Sequence, residues 1–192
     1  MSGIEYLGFK WRAIAWLVLG RPVKALQKLD AILQRLPDDG YALSSRSNLH
    51  MQAGRTAAAL TDSQRLVQVR TQDAATWFNH GFILEAAERW EEALIAFTRA
   101  TELSPQLDRA WYGRGLVLIR LQRHEEAIAA LKRNTELQPM SPYGWYQLAR
   151  AHVDRSQPDE AVKIIRHLKG FEPKVAAQLE RETGLLTGVS AA

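Results

Sequence analysis

One spacing recurs along this 192-residue chain and constrains its fold more than any other feature. Tryptophan returns every 34 residues, at Trp77, Trp111 and Trp145. Proline keeps the same period, at Pro105, Pro139 and Pro173. A fixed period of this length indicates an array of small repeats, each of which buries its apolar face against its neighbours. The sequence therefore predicts five repeats without insertions, over residues 6–39, 40–73, 74–107, 108–141 and 142–175.

Two columns of small residues predict that each repeat is a pair of closely packed helices. The twentieth position is alanine in every repeat: Ala25, Ala59, Ala93, Ala127 and Ala161. The eighth position is always small: Ala13, Ser47, Gly81, Gly115 and Ala149. Small side chains let two antiparallel helices approach closely, and we expect the periodic tryptophans to fill the core beside them. The proline near position 32 ends the second helix, because its ring cannot continue the helical ladder. Gly20 and Gly54 mark inner turns.

The third repeat carries the clearest version of the pattern. It reads Trp77-x-x-His80-Gly81-x-x-Leu84, followed by Ala93, Phe97, Ala100 and Pro105. This resembles the tetratricopeptide repeat, W-x2-L-G-x2-Y…A-x3-F…P at the same period, and the resemblance extends over residues 6–175. It implies an all-α, right-handed solenoid of about five helix-turn-helix repeats. We expect a single domain over residues 1–192, closed by a capping helix at 176–187.

The resemblance also implies a binding surface, because the first helices of successive repeats line a concave groove in this family. The groove-facing positions combine aromatic side chains with arginines and asparagines: Asn48, Phe78, Asn79, Phe82, Arg109, Tyr112, Arg120, Tyr143, Tyr146 and Arg150. Tyrosine and arginine are enriched at binding hot spots, and arginine pairs with carboxylates through two hydrogen bonds. We therefore expect a non-catalytic interaction module, acting as a scaffold, adaptor or assembly factor, that binds a peptide or helix of another protein.

A narrower alternative is the carboxylate clamp, by which some tetratricopeptide proteins hold the acidic C-terminal tail of a chaperone. Asn48, Asn79 and Arg109 match the residue types of that clamp. Ser44 and Gly113 stand where the clamp needs cations. A co-chaperone that binds acidic tails thus remains an alternative function.

The first predicted helix is apolar on almost every side, although it lies at the open end of the array. Such a helix is expected to be buried, and solenoids need a polar face on their terminal elements. We expect it to dock through six residues: Tyr6, Leu7, Trp11, Ile14, Leu17 and Val18. Three coverings stay open: a partner subunit or second copy, a membrane surface with Lys10 and Arg12 at the headgroups, or packing within the chain. The first would make the protein a structural subunit of a larger complex.

The sequence lacks the patterns of catalysis and cofactor binding. It has no cysteine, which excludes disulfides and thiolate chemistry. His50 and His152 fall in a packing position, so we interpret them as core or half-buried residues. Three acidic pairs recur where each second helix begins, and there they complement the helix dipole: Glu91-Glu92, Glu125-Glu126 and Asp159-Glu160. We expect no enzyme activity, no cofactor and no metal.

Charge argues against a nucleic-acid partner. Lys and Arg total 25 against 21 Asp and Glu, and the middle of the chain is net acidic. A nucleic-acid surface instead clusters its cations on one face.

No apolar run approaches the roughly 18–20 residues that span a membrane. We expect a cytoplasmic protein, peripheral to a membrane complex at most.

Overall fold

The computed structural model describes residues 2–185, and within this range all regular structure is α-helical. The predicted all-α fold is confirmed. Eleven helices follow one another between these residues: α1 Gly3–Val18, α2 Pro22–Arg35, α3 Gly40–Gln52, α4 Thr56–Val69, α5 Ala74–Ala86, α6 Trp90–Leu103, α7 Asp108–Arg120, α8 His124–Leu137, α9 Pro142–Asp154, α10 Pro158–Lys169 and α11 Pro173–Thr183. None of the helices described is long and apolar enough to cross a membrane.

The chain forms two compact units, Met1–Arg89 and Trp90–Ala192. In the first unit each helix from α1 to α5 packs against the next one along the chain. In the second unit α6 to α10 do the same, and α11 packs against both α9 and α10. The single domain and the repeat boundaries expected from the sequence stay predictions.

The small-residue columns lie where two helices touch. The alanines of the twentieth position are all fully buried. At the eighth position, Gly115 shows why size matters, because a Cβ atom there would lie 2.6 Å from Cγ of Leu131 on α8. No larger residue could be placed at Gly115 without moving that leucine. The predicted close approach of paired helices is confirmed.

The inner turns share one backbone conformation. Gly20 and Gly54 have φ values of +64° and +70°, in the left-handed region that favours glycine. The same region is occupied at the equivalent residues of the later repeats, which are not glycines: Glu88, Gln122 and Ser156. The sequence predicted the two glycine turns and gave no sign of the other three.

Pro173 departs from the role that its column predicted. The second helices α2, α6 and α8 each end two residues before a proline, as expected. In contrast, α10 ends already at Lys169, and Pro173 opens α11 as its first residue. Proline is tolerated there because its missing N–H has no partner in a first helical turn. The final helix therefore begins at Pro173 instead of residue 176. It ends at Thr183, and the expected cap residues beyond 185 lie outside the described residues.

The periodic tryptophans are half-buried, which corrects their interpretation as core residues. Each indole N–H donates to the backbone carbonyl six residues earlier, in the loop that precedes its helix. Trp77 bonds Thr71 at 2.9 Å, and the equivalent pairs are Trp111–Pro105 at 3.0 Å and Trp145–Pro139 at 2.8 Å. The ring stays at the edge of the core because its nitrogen must reach that carbonyl.

Helix α1 is also less buried than its composition predicted. Ala13 is its one fully buried residue. Tyr6, Phe9, Trp16 and Leu17 pack partly against the core of the first unit, and the opposite side of the helix is exposed. Packing within the chain therefore covers one face of α1 and leaves the other in solvent.

Candidate functional site

Four of the predicted site residues line two neighbouring pockets in the second unit. Arg109 and Tyr112 from α7 line a pocket of about 230 Å³ together with Tyr143 from α9. Tyr143 also lines a second pocket of about 440 Å³, with Tyr146 from α9 and residues of α11. Tyr143 is thus shared by the two pockets. We call this surface, made by Arg109, Tyr112, Tyr143, Tyr146 and Arg150, the tyrosine groove.

A glycine and an asparagine fix the floor of the first pocket. Asn134 on α8 donates from its amide Nδ2 to the Asp108 carbonyl at 2.9 Å, which joins α8 to the start of α7. Gly144 lies next to Tyr143, and a Cβ atom at Gly144 would come within 2.2 Å of the Asn134 Oδ1 atom. Only glycine lets α9 approach this closely. Tyr143 therefore lies beside a close contact between α7, α8 and α9.

A carboxylate from the final helix reaches the far end of the groove. The Tyr146 hydroxyl donates to Glu182 Oε2 at 2.5 Å, and Arg150 Nη1 is 3.3 Å from the same oxygen. Gln178 donates to the other carboxylate oxygen at 2.8 Å. The hydrogen bond from Tyr146, followed by that from Gln178, holds the pKa of Glu182 below its usual value. Arg150 was expected to bind an acidic ligand, and here it faces an acidic group of its own chain.

The sequence missed Glu182 and Gln178 because α11 lies outside the repeat pattern. Both residues lie on the helix that was expected only to cap the array. The sequence signal that could have revealed them is an acidic residue on that helix, close to the last groove positions. The groove is therefore closed at this end by α11.

The remaining predicted groove residues lie elsewhere. Arg120 is near the end of α7, with its guanidinium 5.9 Å from the Trp90 ring centroid, and it lines neither pocket. The other four belong to α3 and α5 of the first unit: Asn48, Phe78, Asn79 and Phe82. Asn48, Asn79 and Phe82 are exposed, and Phe78 is half-buried.

Gly113 has a structural role that the sequence did not reveal. Gly113 stands where the clamp needs a cation, yet it is buried, and a Cβ atom there would lie 2.7 Å from the Phe97 ring. The Phe97 ring packs directly against the backbone at this position. A carboxylate clamp needs a cation there, and the packing of Phe97 leaves no room for one.

The six residues expected to dock α1 divide between two faces. Tyr6 and Leu17 pack against the core of the first unit, and Ile14 is half-buried. Leu7, Trp11 and Val18 are exposed. Burial and a hydrogen bond with Asp39 raise the pKa of Tyr6 to about 12, which agrees with a structural role. The surface available for docking is the exposed face alone.

The histidines and acidic pairs fit structural roles. His152 is buried and its Nδ1 lies 2.8 Å from Gln157 Oε1. His50 is half-buried, and burial followed by the nearby Arg55 charge lowers its pKa. The acidic pairs lie in the first turns of α6, α8 and α10, as predicted. Between residues 2 and 185, no three His, Asp or Glu side chains are grouped so that they could hold a metal ion.

Comparison with known proteins identifies the fold. A crystal structure of a MamA protein aligns with a TM-score of 0.82 and 19% identity, covering 100% of both chains. YrrB, described as a tetratricopeptide protein with an unusual peptide-binding site, aligns with a TM-score of 0.82 at 18% identity, over 94% of this chain and 92% of its own. A tetratricopeptide repeat protein from Parabacteroides merdae gives 0.83 at 20% identity, over 95% and 75%. At these identities the likeness concerns the fold alone.

Sequence comparison gives the family. No curated protein matches the chain. The model of the tetratricopeptide repeat family matches residues 45–108 and again 78–142, which together make up half of the chain. These matches cover the third and fourth predicted repeats and most of the second. The chain therefore belongs to the tetratricopeptide repeat family, and its fold is an all-α solenoid.

Proposed function

We propose that the protein is a non-catalytic binding module whose tyrosine groove holds a peptide or a helix of another protein. The observation that carries this proposal is Tyr143, which lines two neighbouring pockets although 71% of its surface is exposed. Burying such a ring releases water from apolar surface. A chain that inserts one side chain on each side of Tyr143 would bury both faces of the ring.

The groove favours a ligand of mixed chemistry. Its pockets offer the rings of Tyr112, Tyr143 and Tyr146 to apolar or aromatic side chains. Arg109 lies at the same pocket and suits a carboxylate. Family membership supports a protein partner, since tetratricopeptide repeats are generally non-catalytic interaction modules. The peptide-binding site described for YrrB is consistent with a peptide ligand on this fold.

The finer roles remain predictions. Scaffold, adaptor and assembly factor are all compatible with a groove that holds a peptide, and so is a cytoplasmic location. A co-chaperone role is less well supported, since Ser44 and Gly113 supply no cation. The exposed face of α1 offers a second docking surface.

The experiment begins with selection of peptides from a random display library on the intact chain. Affinities of the selected peptides are then measured by calorimetry for the wild type and for Tyr143→Ala. We expect Tyr143→Ala to weaken binding by about tenfold or more, as is usual for a hot-spot aromatic. Ile95→Ala is the matched control, because Ile95 is 66% exposed on α6 and lines neither pocket.

Two results would contradict the proposal. One is a selected peptide that binds Tyr143→Ala as tightly as the wild type. The other is a peptide whose binding survives Tyr143→Ala and is lost with Leu7→Ser, which would move the peptide site to α1.

A further inference from the structure

The exposed face of α1 forms a continuous apolar stripe. Ile4, Leu7, Trp11 and Val18 follow each other at intervals of three, four and seven residues, which places them along one side of the helix. With a rise of about 1.5 Å per residue, the stripe is about 21 Å long. Trp11 is 64% exposed within it. Gly8 and Ala15 lie beside the stripe and are also exposed, so no polar side chain interrupts it.

The stripe continues past the end of the helix. Leu19 follows Val18 at the end of α1, and Val23 lies in the first turn of α2. Both are largely exposed. We call Ile4, Leu7, Trp11, Val18, Leu19 and Val23 the N-terminal patch. Exposed apolar residues are common when scattered singly, but a contiguous set marks an interaction surface.

Cations outnumber acids in the segment that carries this patch. Residues 1–28 hold five cations: Lys10, Arg12, Arg21, Lys24 and Lys28. Glu5 is the only acid in that segment, and it is held by the guanidinium of Arg35. Among residues 2–185, no acidic side chain pairs with Arg12 or Arg21.

The three lysines of this segment contact aromatic rings, and the Lys28 ammonium lies 5.8 Å from the Phe9 ring centroid. The Lys24 ammonium lies 4.3 Å from the Trp16 ring centroid, and that of Lys10 lies 4.6 Å from the Tyr41 ring centroid. None of these contacts neutralises the lysine charge. The segment that carries the patch is therefore net positive.

We propose that the N-terminal patch docks on an anionic lipid surface, with α1 lying in the plane of the headgroups. This goes beyond the proposed peptide binding, which uses the second unit. A helix with an apolar face and cations at its flanks binds such a surface through buried apolar area and attraction to acidic headgroups. Tryptophan favours the interface between headgroups and acyl chains. Lysine and arginine extend their charged ends to the headgroups while their stems stay in apolar surroundings.

Charge favours lipid over a second copy of the chain. Two patches brought face to face would bring together two segments that each carry five cations and one acid. Like charges at an interface oppose association. An anionic membrane surface satisfies the apolar stripe and the cations at the same time.

The test is co-sedimentation of the intact protein with vesicles. One set contains phosphatidylcholine alone, and the other contains phosphatidylcholine with phosphatidylserine. We expect binding to the anionic vesicles, weakened by salt, and little binding to the neutral ones. Replacing Leu7 and Val18 by serine should lower partitioning by at least about tenfold. Arg12→Gln and Arg21→Gln should each lower it about fivefold.

The controls are the same kinds of substitution, made at exposed residues outside the N-terminal patch. Ile95→Ser removes an equally exposed apolar side chain on α6, and Lys132→Gln removes an exposed cation on α8. Both should bind like the wild type. Tyr143→Ala should also bind vesicles normally, which separates this proposal from the tyrosine groove.

Two outcomes would overturn the proposal. The first is equal binding of the wild type and of Leu7→Ser with Val18→Ser to anionic vesicles. The second is a concentration-dependent dimer in sedimentation velocity that is lost in that double variant, with no binding to vesicles. That result would assign the patch to a second copy.

Discussion

A single backbone angle at the fifteenth position of each repeat decides how its two helices are joined. Gly54 adopts φ +70° there, where a side chain brings Cβ too close to the backbone. Gly8, by contrast, lies within α1 with nothing near its missing Cβ. Replacement by alanine should therefore change the free energy of unfolding in opposite directions at the two glycines.

Gly54→Ala should lower the free energy of unfolding by about 1 kcal/mol, since it forces alanine into the left-handed region. Gly8→Ala should raise it by about 1 kcal/mol, because alanine loses less backbone entropy in a helix. Urea unfolding monitored by circular dichroism measures both. An equal effect of the two changes would show that the inner turn does not impose this angle.

Some residue-level features could be predicted and others could not. The buried alanine column followed from the period, because every repeat meets the same steric limit at that position. The ion pairs of Arg46 did not follow from it. Arg46 donates to Asp62 at 2.6 and 2.8 Å and to Asp30 at 2.8 Å, and Asp62 is only 3% exposed. These acids recur in no column, so a repeat pattern cannot reveal them.

At the scale of helices, the contact between α6 and α7 depends on Gly113, because the absence of a side chain there leaves space for the Phe97 ring. Gly113→Ala should lower the free energy of unfolding by about 1–3 kcal/mol, because its methyl group would overlap a fully buried ring. Adding Phe97→Leu makes room for the methyl group. The double variant should therefore lose less stability than the sum of the single losses.

Strict additivity in this double-mutant cycle would contradict the direct contact. Chemical denaturation of the four proteins gives the coupling free energy. Gly8→Ala serves again as the control for the helix propensity of alanine, which favours the substitution at both sites.

The docking of α11 on α9 should depend on pH. The hydrogen bond from Tyr146 lowers the pKa of Glu182 from its ordinary 4.5, so the folded state prefers the charged carboxylate. This stabilisation is fully present above pH 4.5 and is lost as the pH falls through the lowered value. We expect faster amide hydrogen exchange in α11 at acid pH, after correction for intrinsic rates.

Glu182→Gln is the matched variant, because it keeps the shape and removes the charge. Its α11 exchange should be fast at neutral pH and change little on acidification. If the variant and the wild type showed the same dependence on pH, another group would be responsible.

At the scale of the whole molecule, α11 protects the last repeat from solvent. Leu179 is fully buried on its inner face, as is Leu168 on α10. Terminal elements of a solenoid must cover apolar surface on one side and face water on the other. Leu179→Ala should lower the free energy of unfolding by about 2–5 kcal/mol.

Lys174→Ala changes an exposed residue of the same helix and should alter stability by no more than about 0.5 kcal/mol. Thermal unfolding of both variants measures the two changes in stability. Equal melting temperatures would mean that α11 contributes nothing as a cap.

The sequence could predict the array more fully than its surfaces. A period of 34 residues fixes which residues recur, and so it indicated helical pairs and the family. The family resemblance also predicted Arg109, Tyr112 and Tyr143 as groove residues, and these three line one pocket. It could not reveal that α11 reaches Arg150, since that helix lies outside the period. Nor could composition show which side of α1 packs, because that side is chosen by the neighbouring helices.

The indole hydrogen bonds make the protein its own spectroscopic probe. Each of the three bonded tryptophans reports on a different loop, at Thr71, Pro105 and Pro139. When one loop loosens, the corresponding nitrogen exchanges its carbonyl partner for water, and the NMR signal of that indole proton shifts. The order in which the three loops open can therefore be followed from three separate indole N–H signals.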